Sequence, residues 1–96
     1  MENRPKVFAL YDDTRDVILL PPYWTPVTPV DVSVLVHEMV HHLQNRAGLR
    51  YGCAEQREAL AYAAQEKWLE QYGTNLKHEF AFDDLLLILQ TTCPIP

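Results

Sequence analysis

The chain has 96 residues, enough for a single domain spanning 1–96, because a typical domain needs roughly 100–200 residues. Its composition, 48% hydrophobic and 22% charged, is typical of a globular protein. A net charge of −5, with the basic residues scattered, argues against a nucleic-acid partner. The longest strongly apolar run, residues 85–89, is too short to cross a bilayer, and MENRPKV lacks a signal-peptide core, so we expect a soluble protein with no membrane partner.

The first part of the chain predicts a β-hairpin. Residues 6–11 (KVFALY) and 16–20 (DVILL) are β-prone, and DDTR between them is suited to a four-residue turn. The following PPYWTPVTP is too rich in proline for a helix interior or a central strand. We therefore expect an extended connector after the hairpin.

Three helices are predicted in the remainder. The first has Thr28 as N-cap and Pro29 as its first residue, ends near Arg46, and is apolar nearly all round, which is typical of a buried helix. The second spans residues 54 to about 72, where strong helix formers dominate. TNLKHEFAF is expected to be a loop, and a short C-terminal helix follows over residues 83 to about 90, capped by Asp83 or Asp84.

Cys53 and Cys93 do not form a CxxC pair and are therefore poor candidates for a thiolate metal site. They form either one disulfide or two buried thiols, since spacing alone cannot place two Cα atoms within the roughly 7 Å that a bridge needs. A bridge would indicate a periplasmic or secreted protein, whereas two thiols would indicate a cytoplasmic one.

His37, Glu38 and His41 form the pattern HExxH within the predicted first helix. Because a helix turns about 100° per residue, the two histidines lie one turn apart on one face and can bind the same ion. Neutral imidazole is a favoured zinc ligand, and the intervening carboxylate is placed to accept a proton from an attacking water. Unpaired ionisable groups are costly among apolar residues, so the setting favours a metal site over a chance match.

Two protein ligands bind zinc weakly, so a third is expected downstream. The second helix offers Glu55 and Glu58. Glu58 shares a helix face with Tyr62 and Gln65 and is followed by small alanines that allow close helix packing. Glu55 lies in the first turn, where a carboxylate can simply favour the helix dipole. We predict Glu58 as the third ligand, with Glu55 as the alternative.

At this point the chain resembles the gluzincin zinc metallopeptidases, in a minimal single-domain form. HEMVH on one helix and the glutamate of REALAY on the next carry the likeness. The chain also resembles the short zincin-like proteins of bacteria that carry HExxHHxQ and then Tyr-x-Cys, here residues 37–44 and 51–53. The resemblance covers about residues 6–69. It implies an α+β fold, with a small antiparallel hairpin packed on an active-site helix and a glutamate-bearing helix.

The resemblance also implies a function. It assigns zinc as the cofactor, His37, His41 and Glu58 as its ligands, and Glu38 as general base in the hydrolysis of a peptide or protein substrate. Tyr51, in the loop between the two helices, is a candidate donor to the developing oxyanion, or else a packing tyrosine. An edge of the sheet is expected over the zinc, where an extended peptide could add as a strand.

The neighbouring polar residues have plainer predicted roles. His42 points away from His41 around the helix and is expected to be structural. Gln44 is expected to bond an adjacent backbone group rather than a ligand. His78 is expected to lie on the surface, with a contact to a ligand or to the oxyanion as the alternative. We also expect that the tail, residues 91–96, could fold into the cleft and keep the enzyme latent.

Two other classes of function fit the same residues. In one, zinc joins the two helices of a non-catalytic binding module whose core is too small to hold them. In the other, HExxH is accidental and the protein is an antitoxin-like or partner-binding subunit. Bound zinc would exclude the accidental motif, and an open coordination position would favour the enzyme over the binding module.

Overall fold

The computed structural model describes residues 9–25 and 27–95, which form an α+β fold with a two-stranded antiparallel sheet and four helices within that part of the chain. The elements in chain order are β1 (Leu10–Asp12), β2 (Val17–Leu19), α1 (Pro29–Arg46), α2 (Ala54–Glu70), α3 (Leu76–Phe80) and α4 (Asp84–Thr91). The predicted fold class is confirmed. Residues 6–8 of the predicted first strand lie outside the described residues, and the predicted loop after α2 contains the short helix α3.

The hairpin is fastened to the C-terminal part of α1 through Asp16. In β1 and β2, Tyr11 pairs with Ile18. Asp16 adopts a left-handed conformation with φ of 58°, which aspartate tolerates better than most residues. Its carboxylate accepts hydrogen bonds from the Tyr11 hydroxyl at 2.6 Å and from Arg46 at 3.2 Å. Asp16 therefore joins the turn of the hairpin to the last turn of α1.

Local sequence signals define the helix ends. Thr28 accepts a hydrogen bond from the Asp31 backbone N–H, and the Asp31 carboxylate accepts one from the Thr28 N–H, a reciprocal cap that fixes the start of α1. Asp83 caps α4 by accepting from the Leu86 N–H at 2.9 Å. The capping residues predicted from sequence for these two helices are confirmed.

The interface between α1 and α2 is more polar than the sequence suggested. The residues of α1 that are buried are Ser33, His37, His41 and Gln44, and those of α2 are Ala61, Gln65 and Leu69. The prediction that α1 is buried through its apolar residues is wrong, because Met39 is 47% exposed and Leu43 63% exposed. The buried polar side chains are retained because they bond to one another, as described below.

Helix α4 contrasts with this interface, since none of its residues is buried. Leu85, Ile88 and Leu89 are all more than half exposed. A disulfide joins Cys93, just after α4, to Cys53 at the start of α2, with the two Cα atoms 5.7 Å apart. The bridge thus ties the end of α4 to the glutamate-bearing helix. No helix in the described residues is long and apolar enough to cross a membrane.

Candidate metal centre

His37, His41 and Glu58 meet between α1 and α2, with one potential ligand atom from each lying within 4.8 Å of the others. His37 Nε2 is 2.8 Å from Glu58 Oε1, and His41 Nε2 is 3.1 Å from Glu58 Oε2. Ligand atoms around a tetrahedral zinc are about 3.3 Å apart, so small adjustments of the three side chains would fit the ion. The structure brings Glu58 to the histidines, whereas Glu55 does not belong to the cluster.

Gln44 fixes the orientation of His41. The Gln44 amide nitrogen donates a hydrogen bond to the Arg57 carbonyl oxygen at 3.0 Å. Because a carbonyl oxygen can only accept, the side-chain atom that faces it must be the nitrogen and not the oxygen of the amide. Its oxygen is therefore the atom that lies 2.8 Å from His41 Nδ1. His41 Nδ1 must carry the hydrogen and donate it, which leaves Nε2 as the free nitrogen. Gln44 thus bonds a backbone group of α2 and also a histidine of the cluster, so the prediction that it bonds a backbone group rather than a ligand is wrong.

Gln65 fixes His37 in the same way. The Ser33 hydroxyl donates to the Val30 carbonyl at 2.7 Å and accepts from the Gln65 amide nitrogen at 3.1 Å. The Gln65 oxygen then faces His37 Nδ1 at 3.0 Å, so Nδ1 is the donor. Both histidines are held in the tautomer that presents a free Nε2 to Glu58. Gln65 was predicted to share the Glu58 face of α2, but no local signal indicates that it bonds His37.

The converging atoms are all acceptors when the histidines are neutral. Two nitrogen lone pairs and a carboxylate repel one another, so the cluster requires a cation, supplied either by protons or by a metal. Burial alone would raise the pKa of Glu58, but hydrogen bonds from His37 and His41 outweigh it and lower that pKa to about 2. Burial would lower the pKa of His41, but its bonds to Glu58 and Gln44 raise it above 6.5. The donor set fits zinc.

Glu38 lies beside the cluster without joining it. Its Oε1 accepts a hydrogen bond from the Tyr11 backbone N–H at 3.0 Å. That N–H belongs to β1, so the edge of the strand contacts the HExxH carboxylate. The side chain of Glu38 also lines a cavity of about 360 Å³ together with His37.

The remaining cavity wall comes mostly from apolar side chains. The lining residues other than His37 and Glu38 are Val34, Tyr62, Gln65, Leu76, Phe80, Phe82 and Leu86. Burial raises the pKa of Tyr62, and the charges of Glu58 and Glu38 raise it further, so its hydroxyl is within electrostatic range of both carboxylates. Tyr51 is 36% exposed and does not belong to the described lining. The spacing of four residues from Glu58 could have indicated Tyr62.

The chain belongs to the DUF6647 family. That family is described as "Domain of unknown function (DUF6647)", and its match covers residues 1–95. No curated protein and no solved structure matches the chain significantly.

The other predicted residues of this DUF6647 domain lie outside the cluster. His42 Nδ1 is 3.1 Å from Asp16 Oδ1 without the alignment of a hydrogen bond. His78 is on the surface, as expected, with its side chain 77% exposed. The described tail does not enter the cavity, because Cys93 is bridged to Cys53 and Ile95 is 93% exposed.

Proposed function

We propose that this protein is a zinc-dependent hydrolase of the gluzincin type that cleaves peptide bonds in a peptide or protein substrate. His37, His41 and Glu58 would hold the ion, and Glu38 would act as general base. The observation that carries the proposal is the pair of free Nε2 atoms facing Glu58, because Gln44 and Gln65 hold both histidines in that tautomer. Such an arrangement is poorly suited to an interface without a cation.

When bound, zinc would polarise the substrate carbonyl and increase the acidity of the attacking water. Glu38 accepts the proton of that water and transfers it to the leaving amine. The Tyr11 N–H holds the Glu38 carboxylate at the edge of β1, so the base is positioned before substrate arrives. An extended peptide could run along this edge, with one side chain in the adjoining cavity.

The disulfide supports a periplasmic or secreted location as part of this proposal. Structural disulfides persist in oxidising compartments and are uncommon in the cytoplasm. The bridge between Cys53 and Cys93 joins two segments that are far apart in sequence, which is the arrangement expected of a structural bridge. We therefore propose that the protein works outside the cytoplasm.

A second function, zinc as a structural link in a binding module, is favoured by one observation. The buried side chains between α1 and α2 are largely polar, and in the described residues the hydrophobic residues that are buried are Ala9, Tyr11, Ala61, Leu69 and Leu76. A core of this size stabilises a domain only weakly. The cavity beside Glu38 favours the enzyme, because a purely structural site needs no adjoining space.

Metal analysis of matched glutamate variants tests the proposal. We expect stoichiometric zinc in wild type, in Glu38→Gln and in Glu55→Ala, and zinc affinity reduced by more than about 100-fold in Glu58→Ala, which loses one of the ligands. Hydrolysis of a mixed fluorogenic peptide library should occur in wild type and Glu55→Ala and disappear in Glu38→Gln. Glu55 is the matched control, since it lies one turn earlier on the same helix.

Each alternative has its own outcome in this experiment. Zinc without Glu38-dependent hydrolysis would support the structural link. Absence of stoichiometric zinc from wild type supplied with the metal would contradict both readings and leave HExxH as accidental. Loss of zinc in Glu55→Ala, with retention in Glu58→Ala, would contradict the ligand set proposed from the structure.

A further inference from the structure

Tyr62 is held rigidly beside the metal cluster. It lies on α2 one turn after Glu58, and its ring packs edge-on against His37 with the ring centres 4.4 Å apart. On its other side Phe82 packs at 4.8 Å between ring centres. A ring confined by two aromatic neighbours has little freedom to turn, so the hydroxyl occupies a defined position.

The hydroxyl of Tyr62 is available as a donor. The hydroxyl of Tyr11 is bonded to Asp16, whereas that of Tyr62 belongs to a cavity-lining side chain and has no hydrogen-bond partner in the part of the chain that the structure describes. At neutral pH a tyrosine hydroxyl carries its hydrogen and can donate it.

The other polar groups of the cavity lining are already committed. The polar residues among the described lining are His37, Glu38, Tyr62 and Gln65. His37 donates to Gln65, and the Gln65 nitrogen is directed towards Ser33. Glu38 is an acceptor when it serves as base. Tyr62 is therefore the donor left to face a substrate in the cavity.

We propose that Tyr62 donates a hydrogen bond to the carbonyl oxygen of the scissile peptide as negative charge develops on it; this inference rests on the proposed function. Water oxygen bonds to the carbonyl carbon, its proton passes to Glu38, and the carbonyl π pair moves onto oxygen, where Tyr62 stabilises it. When the pair returns, the C–N bond breaks and Glu38 delivers the proton to the amine. Tyr62 keeps its own proton throughout.

Single-hydroxyl deletions test this role. In the zinc-loaded protein we expect Tyr62→Phe to lower kcat by roughly 100- to 1,000-fold, the usual effect of removing one oxyanion donor, with KM changed by less than about threefold. Zinc content and thermal unfolding should match wild type, because the ring and its packing are kept. Tyr72→Phe, which removes an exposed hydroxyl near the end of the same helix, should behave as wild type.

Binding of a phosphinic peptide provides a readout that does not depend on turnover. Its tetrahedral anionic phosphinate resembles the attacked carbonyl, so Tyr62→Phe should weaken its binding by at least about tenfold, measured by calorimetry. A peptide of the same sequence with a reduced CH2–NH bond, which has no carbonyl oxygen there and cannot be hydrolysed, should bind both proteins equally. Unchanged kcat and unchanged phosphinate binding in Tyr62→Phe would overturn the role of Tyr62 while leaving the zinc hydrolase intact. A larger loss of kcat in Tyr51→Phe would transfer the role to Tyr51.

Failure of the proposed function gives a different pattern. A zinc-loaded wild type that neither hydrolyses peptides nor binds the phosphinic peptide would overturn both proposals together. If the wild type binds the phosphinic peptide without hydrolysing peptides, the role of Tyr62 is still tested, because the affinities of wild type and Tyr62→Phe for the phosphinic peptide can be compared.

Discussion

The interface between α1 and α2 and the outer helix α4 are built on opposite principles. The interface buries polar side chains whose hydrogen bonds form continuous chains from Val30 through His37 and from Arg57 through His41. Helix α4 carries mostly apolar side chains and buries none of them fully. One region is held by matched polar groups, and the other by a covalent bond at its end.

This difference shows that hydrophobicity does not decide which surface becomes the interior of a small domain. The two chains of hydrogen-bonded polar side chains are tolerated in the interior because their polar groups are paired, which removes most of the cost of burying them. The apolar residues of α4 gain little, because within the described part of the chain Leu85, Ile88 and Leu89 remain more than half exposed. The stability of the domain should therefore depend strongly on the disulfide and on the completeness of these two chains of polar side chains.

The largest effect is expected from removing the disulfide. The bridge closes a loop with a sequence separation of 40, so replacing both cysteines by serine should lower the free energy of unfolding by about 4 kcal/mol. Urea denaturation of the zinc-loaded protein measures this loss. Hydrogen exchange should become fastest in α4, while the α1 amides near the cluster stay comparatively protected. Equal acceleration in α1 and α4 would contradict the division into two regions.

The next largest effect is expected from breaking one of the two chains of polar side chains at Gln65. In Gln65→Ala the buried His37 Nδ1–H loses its acceptor and the Ser33 hydroxyl loses a donor. We expect a loss of about 2 kcal/mol in stability and a roughly 10- to 100-fold lower zinc affinity. Denaturation and competition with a chelator measure these. Gln71→Ala, exposed at the end of α2, is the control and should change stability by less than about 0.5 kcal/mol.

A smaller effect is expected from pH in the zinc-free protein. Glu58, with its pKa lowered from 4.5 to about 2, stabilises the fold above pH 4.5, and this contribution is lost as the pH falls towards 2. His41, with its pKa raised above 6.5, stabilises the fold below pH 6.5, and this contribution is lost as the pH rises through the folded value. The cluster should therefore contribute most between about pH 4.5 and 6.5.

Denaturation of chelator-treated protein across pH measures that profile. Glu58→Gln should flatten it, because the neutral amide removes the charge that raises the pKa of His41. Zinc-loaded protein should instead keep its stability above pH 6.5, since neutral histidines are the form that binds metal, and lose it on acidification as protons compete. A profile that zinc does not alter would contradict metal binding at this cluster.

Much of the framework could be predicted from the sequence because its signals are local. The Thr28 cap, the proline after it, and the β-prone runs of the hairpin each depend on neighbours within a few residues. The convergence of His37 and His41 follows from helix periodicity alone. The placement of Glu58 beside them was predicted from its shared face on α2, and the structure brings these groups together.

The features that could not be predicted from the sequence depend on contacts between residues that are far apart in the chain. Nothing local to Gln65 shows that its amide will lie between His37 and Ser33, since that depends on how α1 and α2 approach each other. The burial of α1 through polar groups was missed for the same reason. The disulfide could be predicted only as one of two alternatives, because the number of residues between two cysteines does not determine the distance between them in the fold.

Asp16 occupies a position at which few other residues should be accepted during evolution. Its backbone φ of 58° disfavours residues branched at Cβ, and glycine would meet that requirement at no steric cost. Its carboxylate accepts hydrogen bonds from the Tyr11 hydroxyl and from Arg46, and glycine would lose both. Asparagine keeps the shape and loses the charge. Two independent requirements thus intersect on one residue type, so position 16 should tolerate fewer substitutions over generations than the rest of its turn.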